Sequence, residues 1–117
     1  MSGHQKVITA LFILASLQPL SAMGQERRAG MIYRVPVHGT IELGLAPFIE
    51  RSIEEAQHNG ASAIILELET PGGRVDAAER IANAIGDSHV PIYAFVNRHA
   101  YSAGALIALA TQGIYMR

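Results

Sequence analysis

Ala63-Ile64-Ile65-Leu66-Glu67-Leu68-Glu69-Thr70-Pro71-Gly72-Gly73 reads as a strand running out of a sheet into a tight turn. The continuous apolar run is that of a buried parallel strand, and the shift to Glu67 and Glu69 marks where it leaves the sheet. Pro71 fixes the entry to the turn, and Gly72-Gly73, having no Cβ atoms, lets the chain bend sharply before the next helical pattern.

Upstream, Ile32 to Val37 is a short β-rich run, and Pro36 inside it predicts an edge strand or a strand end. Leu43, Leu45, Phe48, Ile49, Ile53 and Ala56 then recur at helical spacing, with Glu42, Glu50, Arg51, Glu54 and Glu55 on the wet face, until Asn59-Gly60 stops the helix. Downstream, Val75, Ala78, Ile81, Ala82 and Ile85 form one face of a second helix ending at Gly86-Asp87. Pro91 to Val96 predicts a third strand. The polar stretch Asn97-Arg98-His99 separates it from Ser102 to Ala110, whose almost wholly apolar composition predicts a buried helix. After Thr111-Gln112-Gly113, Ile114-Tyr115-Met116 starts a fourth strand. Strand and helix alternate throughout, the grammar of an α/β fold whose right-handed βαβ crossovers build a mostly parallel sheet.

The chain has 117 residues, half of them hydrophobic, 16% charged, with a formal charge of -1 and no cysteine. That is one small domain. The arginines form no basic stripe, which argues against nucleic acid as a partner. Without cysteine there is no disulfide framework or thiolate metal site, and no histidine and carboxylate set has metal-ligand spacing, so neither a metal nor another cofactor is expected. At the N-terminus Lys6 precedes the apolar run Val7 to Leu17, followed by Gln18-Pro19 and Ala22-Met23-Gly24. This pattern predicts a cleavable signal peptide over 1–24, with 25–31 as a linker and an exported domain from 32 to 117.

In a parallel α/β sheet, ligand chemistry is expected where strands end and helices begin. Two small-residue turns lie at such points, Thr70-Pro71-Gly72-Gly73 and Ala100-Tyr101-Ser102-Ala103-Gly104. The first can aim the amides of Gly72 and Gly73 at an oxyanion, aided by the N-terminus of the following helix. The second offers Ser102 as a nucleophile with open space beside it at Ala103 and Gly104, and the Ala103 amide as a further oxyanion donor. Each turn also has a plain structural reading. The first can be an ordinary strand-to-helix turn, and Ser102 can simply cap its helix.

Val37-His38-Gly39-Thr40-Ile41, Ile64 to Gly73 and Ala100-Tyr101-Ser102-Ala103-Gly104, in that order and spacing, resemble the N-terminal protease domain of the NfeD family, membrane-associated serine proteases that partner stomatins within the ClpP/crotonase superfamily. The resemblance spans about Val35 to Arg117. It implies a curled sheet of repeated βαβ units, incomplete at the C-terminus, and peptide hydrolysis by Ser102 with the amides of Gly72, Gly73 and Ala103 holding the oxyanion. It also implies a protein or peptide substrate, a stomatin-like membrane partner, a homo-oligomer and a membrane association on the extracytoplasmic side. In that family the general base is a lysine on a later helix, whereas the one lysine here is Lys6. The expectation is therefore an N-terminal fragment that is inactive alone.

His99 is a second candidate for the base, three residues before Ser102. Glu67, Glu69, Asp76 and Glu79 read as a charged rim near the turn. Two other functions remain open on the residues: a peptide-binding or oligomerisation module without catalysis, and a crotonase-like enzyme acting on an acyl-CoA thioester, against which Ser102 argues.

Overall fold

A computed structural model describes residues 30–117, so the expected signal peptide and most of the linker lie outside the described residues. The elements run β1 (Ile32–His38), α1 (Leu45–His58), β2 (Ala63–Thr70), α2 (Val75–Gly86), β3 (Ile92–Ala100), α3 (Ala103–Ala110) and β4 (Ile114–Met116). The strands form one sheet in the order β1-β2-β3-β4, and all three pairs are parallel. Each helix therefore carries the chain from one strand to its immediate neighbour, as successive crossovers of one hand require.

Alternation along the strands decides which side is covered. Val35 and Val37 of β1, Ile64, Leu66, Leu68 and Thr70 of β2, and Ile92, Ala94 and Val96 of β3 are buried. They meet Ile49, Ile53 and Ala56 of α1, Ala78, Ile81 and Ile85 of α2, and Ile107 of α3 in one core. On the other face Ile65, Tyr93 and Phe95 are only half-buried, and Tyr93 meets Tyr115 edge-on at 6.1 Å. Pro36 lies exposed on β1, an edge strand, where its missing N–H costs no ladder bond. Arg80 of α2 grips Glu50 of α1 through two 2.6 Å hydrogen bonds. That contact holds the Glu50 carboxyl below its usual range.

Three local readings change. β3 runs on through Asn97, Arg98 and His99 to Ala100: pairing with β2 breaks after Leu68 and Val96 in a bulge that holds these three residues and resumes at Thr70 and Ala100. Leu43, Phe48 and Val75 are exposed rather than packed, since α1 begins only at Leu45 and buries Ala46, Ile49, Ile53 and Ala56, while α2 turns Ala77, Ala78, Ile81 and Ile85 inward. α3 is buried on one side only: Ala103, Gly104, Ile107 and Ala108 pack inward, but Leu106 and Leu109 face out, Leu109 being 74% exposed. Its composition is uniformly apolar, so no periodic signal distinguished the two sides.

Candidate active site

The chain leaves β2 at Thr70 and enters α2 at Val75, and in between it is stapled to a third segment. The Ile41 N–H donates to the Gly72 carbonyl at 2.9 Å, and the Ile41 carbonyl accepts the Arg74 N–H at 2.8 Å. Ile41 and Gly73 thus form an isolated parallel bridge. Only glycine fits at position 73, because a Cβ there would run into the Ile41 backbone. In a parallel bridge the bonds to the partner come from the residues on either side, so the N–H of Gly73 itself is turned away from Ile41. With the strand order β1-β2-β3, that direction leads toward the end of β3. Among the described residues, the Gly73 amide meets no acceptor.

At the end of β3 stands Ser102, with φ 51° and ψ -118°, the one non-glycine residue at positive φ among the described residues. Such a conformation costs about 1–3 kcal/mol for a residue with a side chain and persists only where its surroundings impose it. The surroundings are visible: the Tyr101 N–H donates to the Thr70 carbonyl at 3.1 Å, and the Gly104 N–H to the Tyr101 carbonyl at 2.8 Å. Ser102 is exposed and its side chain makes no helix-capping hydrogen bond, although its backbone carbonyl accepts from Ala105 and Leu106. A strained serine raised at a strand-to-helix turn, with its hydroxyl left free, is the arrangement of a nucleophile elbow. The Ala103 N–H opens α3 without an intrahelical acceptor and finds none elsewhere among the described residues.

The two turns touch. Gly72, at φ 107°, has no room for a side chain: a Cβ would stand 2.9 Å from Ser102 Cβ and from the Tyr101 carbonyl oxygen, and 3.5 Å from the Ala103 nitrogen. The N–H of Gly72 points elsewhere, donating to Thr70 Oγ1 at 3.0 Å. The sequence reading grouped Gly72 and Gly73 as donors alike; the structure separates a committed amide at Gly72 from an open one at Gly73.

Around this centre Glu67, Glu69 and Asp76 each face an arginine. Asp76, in the first turn of α2, is bridged by Arg74 at 2.9 and 2.7 Å and accepts the Ala77 N–H at 2.9 Å. The Arg74 contact leads in pulling its carboxyl down to about 2. Glu67 is held by Arg34, with His38 4.0 Å away, and Glu69 lies 3.6 Å from Arg98. His99 is part of β3, and its ring stacks on Tyr101 with centroids 4.9 Å apart, engaged there rather than with Ser102. Among the described residues no group of histidine and carboxylate side chains could hold a metal ion.

A profile of the NfeD1b N-terminal domain matches residues 31–117. The chain belongs to the NfeD1b family. The membrane protein NfeD1b of Bacillus subtilis is 38% identical over 117 residues, spanning 99% of this chain and 26% of its own length. The membrane-bound protease PH1510 of Pyrococcus horikoshii is 37% identical over 89 residues, 74% of this chain and 20% of that protein. This NfeD chain thus spans about a quarter or less of the curated relatives it matches. A solved structure of the 1510-N membrane-bound stomatin-specific protease, a lysine-to-alanine mutant in complex with a substrate peptide, superposes with TM-score 0.68 at 35% identity, covering 74% of this chain and 41% of that one. ClpP1 of Listeria monocytogenes shares the fold, with TM-score 0.63 at 23% identity over 67% of this chain and 46% of its own.

Thr70 and Ile41 are the site-building residues that residue chemistry did not single out. Thr70 had a signal: a hydroxyl residue two positions before a glycine is placed to take that glycine's N–H. Ile41 had only its place in the run from Val37, since nothing in an isoleucine announces a backbone bridge.

Proposed function

We propose that this domain is the nucleophile-bearing part of a serine endopeptidase. Ser102 attacks the peptide carbonyl, and the amides of Gly73 and Ala103 receive the negative oxygen of the tetrahedral intermediate, where two fixed donors act at the charge as it develops. The observation that carries this reading is the strained, uncapped Ser102 packed against Gly72. A helix cap or a plain turn gives no reason for that strain, whereas a nucleophile that must stand clear of its own helix does.

The general base is a lysine carried by another part of the natural protein. Two things support this: His99 is stacked on Tyr101, and the solved PH1510 relative with bound peptide is a lysine mutant. The segment alone then shows little peptidase activity, because general-base help is worth about 10²- to 10⁴-fold. The substrates are exposed hydrophobic segments of proteins, a stomatin-like membrane protein among them, in line with the stomatin-specific relative. The protein acts as a membrane-associated homo-oligomer after export through its signal peptide, in line with the membrane proteins to which it is similar.

The test is hydrolysis of a hydrophobic peptide by the gene product read to its natural stop codon, wild type against Ser102→Ala. Loss of turnover in the variant supports the endopeptidase. Equal turnover removes Ser102 as the nucleophile, and none in either leaves a peptide-binding module.

A further inference from the structure

We infer that Thr70 is a positioning residue that joins the oxyanion turn to the nucleophile turn and decides which glycine amide faces the reacting oxygen. The inference rests on the endopeptidase reading above.

Thr70 is the one buried polar side chain among the described residues, with no exposed surface. Every part of it is engaged, and each contact goes to one of the two turns. Its hydroxyl oxygen accepts the Gly72 N–H at 3.0 Å, its carbonyl accepts the Tyr101 N–H at 3.1 Å, and its methyl occupies the space that a Cβ on Gly104 would need.

The consequences follow from the bonding. Two adjacent glycine amides could both turn toward an oxyanion, and an unengaged, flexible pair would reorganise as the charge formed. Thr70 removes one of them from contention. The Gly72 N–H, spent on the buried hydroxyl, holds the peptide before Gly72, and the Gly72 carbonyl, which accepts from Ile41 at 2.9 Å and from the Thr70 hydroxyl at 3.4 Å, holds the peptide after it. Gly73 then has one orientation for its N–H, the side away from Ile41 and toward Ser102. On the other side, the Tyr101 bond and the Gly104 contact hold the turn that keeps Ser102 at positive φ. Thr70 therefore fixes the separation between nucleophile and donor through its hydroxyl, its methyl and its backbone carbonyl, without touching substrate.

Thr70→Val keeps the shape and removes the hydroxyl, while Thr70→Ser keeps the hydroxyl and removes the methyl. In the gene product read to its stop codon, Thr70→Val should lower kcat by about 10- to 100-fold with KM within about 2-fold of wild type, since a misplaced donor is felt only as the oxyanion develops. Thr70→Ser should recover most of the rate. Binding of a peptide aldehyde, which places a tetrahedral oxygen in the hole, should weaken in parallel with kcat, while binding of the unreactive peptide should not change. In amide exchange by NMR, the Gly72 signal should be protected in wild type and Thr70→Ser and lose about 10-fold of that protection in Thr70→Val.

A Thr70→Val enzyme with Ser102-dependent turnover equal to wild type overturns the role while leaving the endopeptidase reading intact. So does an equal loss of aldehyde and plain-peptide binding, which would mark a merely structural residue. A wild type lacking Ser102-dependent turnover, whatever the Gly72 exchange, removes the endopeptidase reading, and the positioning role of Thr70 falls with it.

Discussion

Gly72 lies against Ser102 so closely that a Cβ on the glycine would come within 2.9 Å of the Cβ of the serine. Two turns separated by the whole of α2 and β3 are thereby brought to one point, and the serine's conformation becomes a property of both.

Gly72→Ala should accordingly damage the site from two directions. The new methyl collides with Ser102 and the Tyr101 carbonyl, and the backbone at φ 107° is one that alanine rarely adopts. The expected outcome is a loss of stability of about 1–3 kcal/mol by denaturant titration and a fall in Ser102-dependent turnover of at least about 100-fold.

Ser102→Gly should do the opposite to stability. Glycine accepts the positive φ that serine bears at a cost, so the variant should be more stable by about 1 kcal/mol in the same titration, while its peptidase activity vanishes. Stabilisation with loss of function is the signature of strain held for chemistry.

Much of this was legible in the sequence. The βαβ alternation and the parallel sheet followed from the apolar run Ala63 to Leu66 and from the spacing of Ile49 and Ile53 or Ile81 and Ile85, and Pro36 narrowed β1 to an edge strand or a strand end. The two turns also stood out, since small residues after a buried strand have few other uses. Illegible were the features that depend on long-range contacts. The positive φ of Ser102 is imposed through Thr70 and the α3 turn, the bridge at Gly73 comes from Ile41, and the commitment of the Gly72 amide is visible only once a donor direction is known. The continuation of β3 through Asn97, Arg98 and His99 was hidden because these polar residues form a bulge, and only the renewed pairing of Ala100 with Thr70 shows that the strand goes on.

Thr70 and Gly104 should be energetically coupled. Gly104→Ala alone drives a methyl into that of Thr70, whereas in Thr70→Ser that methyl is gone. The double variant should be more stable than the sum of the two single effects by about 0.5–3 kcal/mol. Simple additivity in a double-mutant cycle would refute the contact.

Asp76 gives an acid-side prediction. Its carboxyl lies at about 2 in the fold against an ordinary value of 3.8, chiefly through the hydrogen bonds from Arg74. Because the folded value is the lower one, its stabilising contribution is complete above the unfolded value and is lost as pH falls from about 4 to 2. NMR titration of the Asp76 side-chain carboxyl carbon should give a midpoint near 2, and Asp76→Asn should be less stable than wild type at neutral pH, with a profile that is flatter than the wild type's from about pH 4 to 2.

The claim at the centre is that Ser102 is a nucleophile. It is met most directly by treating the gene product, read to its natural stop codon, with an alkyl fluorophosphonate and mapping the adduct by mass spectrometry, fluoride leaving as the serine oxygen bonds phosphorus. The account predicts a single adduct on Ser102, absent from Ser102→Ala and slowed in Gly72→Ala. An unmodified Ser102, or modification at another residue with peptide hydrolysis intact in Ser102→Ala, would contradict it.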